Sequence, residues 1–106
     1  MGQLNFADTF NLKCREIHKE YSTKKNIQIE DYDIPDMLMH SVAELSEAYE
    51  AWRKNSMDKH LMHRRGIEVE FADCILFLMD IAGGMSLDLG GAIEEKNKFN
   101  STRTYK

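Results

Sequence analysis

Apolar residues recur at steps of three and four through most of this chain, and no strand-like alternation runs long enough to matter. The spacing predicts four helices. Helix one covers residues 6–24, with Phe6, Phe10, Cys14, Ile17 and Tyr21 as its stripe. Residues 27–34 carry no clear period and read as a loop. Pro35 suits the first turn of helix two, where its missing N–H costs nothing, and Asp36 favours the positive helix start. Helix two then runs from about residue 35 to 54. Leu38, Val42, Leu45, Tyr49 and Trp52 form its expected core stripe, and His40, Glu44 and Glu47 cluster elsewhere on its surface. Residues 55–66 read as a connection. Helix three covers 67–82 and is expected to stop at Gly83-Gly84. Ser86 is the expected N-cap of helix four, which continues through AIEEKNKF, with NSTRTYK as a tail.

Helix three breaks the amphipathic rule. Ile67, Phe71, Ala72, Ile75, Leu76, Leu78 and Met79 cover most of its circumference, and Glu70, Asp73, Phe77 and Ile81 share the remaining stripe with Asp80 beside it. A helix apolar nearly all round wants burial on all sides. A small four-helix protomer can hardly supply that, so helix three is expected to pack against a second subunit.

The acids sharpen the picture. Glu44 and Glu47 are spaced i,i+3, as are Glu70 and Asp73, so each pair can present both carboxylates on one side of a helix. The first pair alone reads equally as a solvated helix face. The second lies in apolar sequence, with no Lys or Arg three or four residues away. Burying like charges without compensation costs several kcal/mol. A divalent cation held by acids from two helices fits this conflict better than the alternative, a buried ion pair with a distant helix. Magnesium suits an oxygen-only donor set, with manganese as a possible substitute, and its usual substrates are phosphate esters and anhydrides. Arg53, Lys54, Lys59, Arg64 and Arg65 fall in or beside the connection and can balance a polyphosphate. His40 shares the face of Glu44 and Glu47 and is a candidate contact to substrate or to a metal-bound water.

Composition narrows the classes. The 106 residues make one domain, 1–106, with a formal net charge of -4 that argues against nucleic acid as a partner. No apolar run reaches membrane-spanning length. The opening MGQLNFADTF lacks the basic-then-apolar order of a secretory signal, so the cytoplasm is the expected location. Cys14 and Cys74 read as reduced core thiols. A ferritin-like di-iron bundle needs Glu-x-x-His motifs, which are absent. GGMSLDLGG lacks the Lys-Ser/Thr end of a phosphate-binding loop, and His60 with His63 has no partnering cysteines for zinc.

The order Glu44-x-x-Glu47, a gap, then Glu70-x-x-Asp73 resembles the signature of the MazG-like all-α nucleoside triphosphate pyrophosphohydrolases. VAELSEAYEAWRKN resembles the family's first motif helix, and EFADCILFLMDIAG its second. EEKNKFNSTRTYK looks like its closing segment, with Lys96, Asn100 and Arg103 in place. The resemblance spans about residues 36–106. It implies an all-α protomer that pairs into a four-helix-bundle-like assembly, as a dimer or a tetramer of two dimers. It also implies Mg²⁺-dependent hydrolysis of nucleoside or deoxynucleoside triphosphates to the monophosphate and pyrophosphate, in the house-cleaning of surplus or non-canonical nucleotides. Glu44, Glu47, Glu70 and Asp73 carry over as metal ligands and catalytic acids, with Glu47 the acid expected to orient or deprotonate water. Lys96, Asn100 and Arg103 carry over as phosphate or ribose contacts, and Lys54 joins the substrate-binding set. Trp52 or Phe77 can stack on a base, a plain core role being the alternative. Two other functions stay open: a pyrophosphohydrolase of another phosphorylated compound, such as a phosphoribosyl nucleotide, and a non-catalytic helical interaction module.

Overall fold

A computed structural model describes residues 5–104 of the chain. Residues 1–4, the start of the MGQLNFADTF opening, and residues 105–106, the end of the NSTRTYK tail, lie outside the described residues. Four α-helices follow one another: α1 (Phe6–Lys25), α2 (Ile34–Lys54), α3 (Gly66–Gly84) and α4 (Leu89–Thr102), with a short 3-10 turn at Ile29–Asp31. Among the described residues there is no sheet, only an isolated antiparallel bridge between Met57 and Arg65. No helix among them is long and apolar enough to cross a membrane.

The helix ends follow from short polar side chains. Asn5 caps α1 by accepting from the Asp8 N–H at 2.8 Å. Asp33 caps α2 by accepting from the Asp36 N–H at 3.1 Å, which puts Pro35 in the first turn. Asn26 and Asn55 end α1 and α2 in the left-handed conformation, with φ of 51° and 50°. The stop after α3 differs from the expectation. Gly83 and Gly84 lie inside the helix and neither has positive φ, whereas Ser86 does, at 56°. The Leu87 N–H bonds back to the Ala82 carbonyl at 2.9 Å, closing a Schellman turn around Ser86. Ser86 therefore ends α3 rather than starting α4. The cap of α4 is Asp88, which accepts from the Gly91 N–H at 2.9 Å. Most of the expected tail is also helical, since α4 continues to Thr102.

The chain forms two compact units, one of residues up to Asn26 with those from Met79 onward, the other Ile27–Leu78. In the first, Cys14 and Ile17 of α1 are buried, as are Met79, Ile81 and Ala82 of α3. Gly83 is there for close approach: a Cβ at that position would stand 2.2 Å from the Cys14 carbonyl oxygen. His18 and Asp80 face each other across the same seam, Nδ1 to Oδ1 at 2.8 Å, with only 18% and 5% of their side chains exposed. Asp80, beside Asp73 in the helical projection, is thus given to a packing contact in this unit. Asn11 ties α1 to α4, donating to Asp88 at 2.6 Å and accepting from the Gly90 N–H at 2.8 Å. Cys14 and Cys74 are both free and buried, and burial pushes the Cys14 thiol up, away from the reactive thiolate.

In the second unit the buried residues of α2 are small ones, Ser41 and Ala48, and Cys74 of α3 is buried as well. The expected core stripe of α2 is not core in the protomer. Leu38, Val42, Leu45, Tyr49 and Trp52 are each between 45% and 59% exposed. The helix packs through its small-residue face because only small side chains let α3 come close, and the large apolar face is left bare. Phe71 and Ile75 of α3 are likewise half exposed, at 50% and 51%.

The Gly83 contact gives a direct test. Gly83→Ala should lower stability by about 1–3 kcal/mol, the usual cost of overpacking, against a gain in helix propensity of about 1 kcal/mol. Urea unfolding followed by circular dichroism reads the difference; an unchanged or raised midpoint would contradict the close crossing.

Candidate metal and substrate site

Glu44, Ala48 and Ala51 lie at three and four residue steps on α2, on one face. Gly66, Glu70 and Cys74 do the same on α3. The two faces meet antiparallel. At one end, a Cβ on Gly66 would lie 2.9 Å from the Ala51 Cβ. At the other, the His40 and Phe77 rings stack with 4° between their planes and 6.1 Å between centroids. Between these fixed points, Glu44, Glu47 and Glu70 converge, each offering a carboxylate oxygen within 4.8 Å of the others. Glu44 and Glu70 are half-buried, and Glu47 is exposed.

The environment of Glu70 is the decisive feature. Its Oε2 is buried and no donor among the described residues reaches it. Burial raises its carboxyl most, and hydrogen bonding and charge from Glu44 and Glu47 add to this, giving a value of about 8. At neutral pH and without a cation, this group holds a proton shared with its carboxylate neighbours, and the titration belongs to the cluster. Glu50, one turn along α2, has the opposite surroundings. Arg53 donates to it twice, at 3.0 and 3.1 Å, and pulls its carboxyl below the usual range. The contrast separates an ordinary surface acid from one that lacks any positive partner.

Asp73, the fourth expected acid, lies outside that trio. It keeps solvent access, yet partial burial and the charges of Asp58 and Glu47 push its carboxyl up. Asp58 was not singled out by sequence reasoning. Its side chain accepts from the His60 N–H at 2.9 Å and the Leu61 N–H at 2.8 Å, and those bonds hold its carboxyl low. An Asp two residues before such a turn is a common capping signal, and the sequence reading passed over it within an aperiodic stretch.

A cavity of about 380 Å³ opens beside the trio, and its wall includes Glu47, Glu70, Lys54, Asp58, Lys59 and His60. Lys54 stands 3.8 Å from Glu50. His40 also approaches Asp36, Nε2 to Oδ2 at 3.4 Å. Trp52 is 59% exposed, next to Tyr49 with 6.2 Å between ring centroids. Lys96, Asn100 and Arg103 belong to the other unit. There Lys96 and Arg103 both lie over the Phe99 ring, at 4.8 and 5.6 Å, and the Asn100 Oδ1 is buried without a hydrogen-bond partner.

The donor set fits a hard divalent cation: three carboxylates, no thiolate and an unsatisfied buried oxygen. Comparison with protein-family models, curated proteins and solved structures finds no match for this chain. The site therefore stands on its geometry and chemistry.

The raised Glu70 carboxyl has a consequence for stability. The folded protein holds this proton more tightly than the unfolded chain, whose value is the usual 4.5. The stabilisation from the bound proton is full below about pH 4.5 and is lost as pH rises through about 8. In chelator, the urea midpoint should therefore fall over that window, and Glu70→Gln should flatten the fall. An equally steep decline in the variant would place the titration elsewhere.

Proposed function

We propose that the chain is a Mg²⁺-dependent hydrolase of nucleoside triphosphates that yields the monophosphate and pyrophosphate. The observation that carries this reading is the convergence of Glu44, Glu47 and Glu70 with a buried, donorless Glu70 oxygen. The motif resemblance to the MazG-like pyrophosphohydrolases points the same way. A bound cation of this kind polarises phosphoryl oxygens and makes a water molecule more acidic. Glu44 and Glu70, half-buried and fixed by the α2–α3 seam, act as the anchoring ligands. Glu47, on the exposed side, completes the site and orients or deprotonates the attacking water. Asp73 supports the site from the next turn of α3. Phe77 and His40 offer aromatic faces for a base. The role is the removal of surplus or non-canonical nucleotides.

The assembly follows from the bare apolar stripe of α2. A monomer exposing Leu38, Val42, Leu45, Tyr49 and Trp52 together leaves a patch of the kind that marks a protein interface. We propose that two copies bury these stripes against each other, forming a homodimer or a tetramer of two dimers.

Pyrophosphate release from a panel of standard and modified nucleoside and deoxynucleoside triphosphates tests the reaction. Release should require Mg²⁺, stop in EDTA, match the monophosphate formed and fall to background in Glu70→Ala and Asp73→Ala. Silence across the panel, or full activity in either variant, would overturn the assignment. For the assembly, Leu45→Glu forces a charge into the interface at a cost of several kcal/mol. Light scattering should show the variant shifting towards the 12.3 kDa protomer; a wild-type protein that is already monomeric at micromolar concentration would refute the pairing.

A further inference from the structure

The cavity beside the carboxylates has a second chemical character that the acid motif does not explain. Lys59 and His60 lie in its wall with Glu47 and Glu70. They come from the segment between α2 and α3, which is closed by its own hydrogen bonds. The Gly66 N–H donates to the Ser56 carbonyl at 2.8 Å, and the Asp58 N–H to the Arg64 carbonyl at 2.9 Å. The Asp58 side chain then takes the two N–H groups of His60 and Leu61. The segment is thus a built turn, and its position along the wall is fixed.

The cations of the turn differ in how they are occupied. Lys54 stands near Glu50, and Arg64 near Glu68 at 3.4 Å. Among the described residues, no carboxylate lies within ion-pairing distance of Lys59. An ammonium without a partner, in the wall of a cavity that also holds the acid trio, is suited to an anion whose other end is neutralised by the cation on those acids.

We propose that Lys59, with His60 beside it, forms the subsite for the terminal phosphates of the substrate and retains the pyrophosphate product. This deepens the hydrolase reading and rests on it, because the carboxylates in the same wall repel an anion until a divalent cation is bound. The subsite takes the diphosphate end of a phosphoanhydride and is indifferent to the base. It assigns the turn a positioning role: it holds the leaving group while the acids of α2 and α3 hold the reacting end.

The test uses pyrophosphate and Mn²⁺ as probes on the intact chain. Calorimetry should show wild-type protein binding pyrophosphate only when Mn²⁺ is present. Lys59→Met should weaken that binding about 10-fold or more, the loss expected for one charge-assisted hydrogen bond. His60→Gln should weaken it less. Lys25→Met, which removes the same charge from the last turn of α1, should bind as wild type. Mn²⁺ affinity, read by electron paramagnetic resonance, should be the same in all four proteins, and circular dichroism should confirm that each is folded. Pyrophosphate binding unchanged in Lys59→Met, or weakened equally in Lys25→Met, overturns the subsite alone while Mn²⁺ binding stands. Failure of Mn²⁺ to bind wild-type protein overturns the hydrolase reading and the subsite with it.

Discussion

Three carboxylates within 4.8 Å of one another impose the condition to which the rest of this protein answers. Like charges at that range repel by an amount that grows as water is excluded. Glu70 has no cationic neighbour on its own helix and no donor to its buried oxygen. The folded chain meets the condition in one of two ways, with a shared proton or with a bound cation. Both require that α2 and α3 stay close, and the small residues Ser41, Ala48, Ala51 and Gly66 make that approach possible. Packing and chemistry are therefore coupled: the residues that bring the helices together also concentrate the charge. Such a group is tolerated when surrounding contacts over-determine it, which is why strongly perturbed acids cluster at functional sites.

The same choice explains the unusual layout of α2. A helix in a small protein normally turns its large apolar side chains inward and its small or polar ones outward. Here Ser41 and Ala48 point in, the carboxylates line the seam, and Leu45, Tyr49 and Trp52 are left to solvent. Placing the large residues in the seam would push α3 away and pull the trio apart. The apolar stripe is displaced to the outside of the protomer, where a second copy is its most economical cover. On this account, the proposed interface would be a by-product of the close approach that builds the site.

Much of this was legible in the chain. The four helices, their order and the pairing of acids across α2 and α3 all follow from spacing, because periodicity and i,i+3 geometry are local. What failed was non-local. Which stripe of α2 faces its neighbour depends on the partner helix, and hydrophobicity alone selected the wrong one. Gly83-Gly84 read as a stop because glycine is a common terminator, but Gly83 is needed for its missing Cβ against Cys14, a contact 69 positions away in the chain. The left-handed position then fell to Ser86, and Asp88 took the cap. Asp58 sat in an aperiodic stretch, where no pattern distinguishes a structured turn from a solvated connection, and Lys59 stood out there only as one of five cations in or beside it. The resemblance of the motif segments to a known family suggested the reaction proposed above and could not supply these contacts.

Charge balance in the cavity orders the events at the site. Glu47, Glu50, Asp58 and Glu70 line it together with Lys54 and Lys59. Four carboxylates against two ammonium groups leave a negative field, and low-dielectric walls focus such a field rather than dissipate it. A polyphosphate alone is repelled. A proton on Glu70 relieves part of the excess, and a divalent cation displacing that proton brings the wall close to neutrality. Only then would the unpaired Lys59, as proposed, present a net attraction to a phosphate chain. On the proposed reading the acids and the turn are two parts of one device, in which a cation that resolved the Glu70 conflict would also convert an anion-excluding cavity into an anion-accepting one.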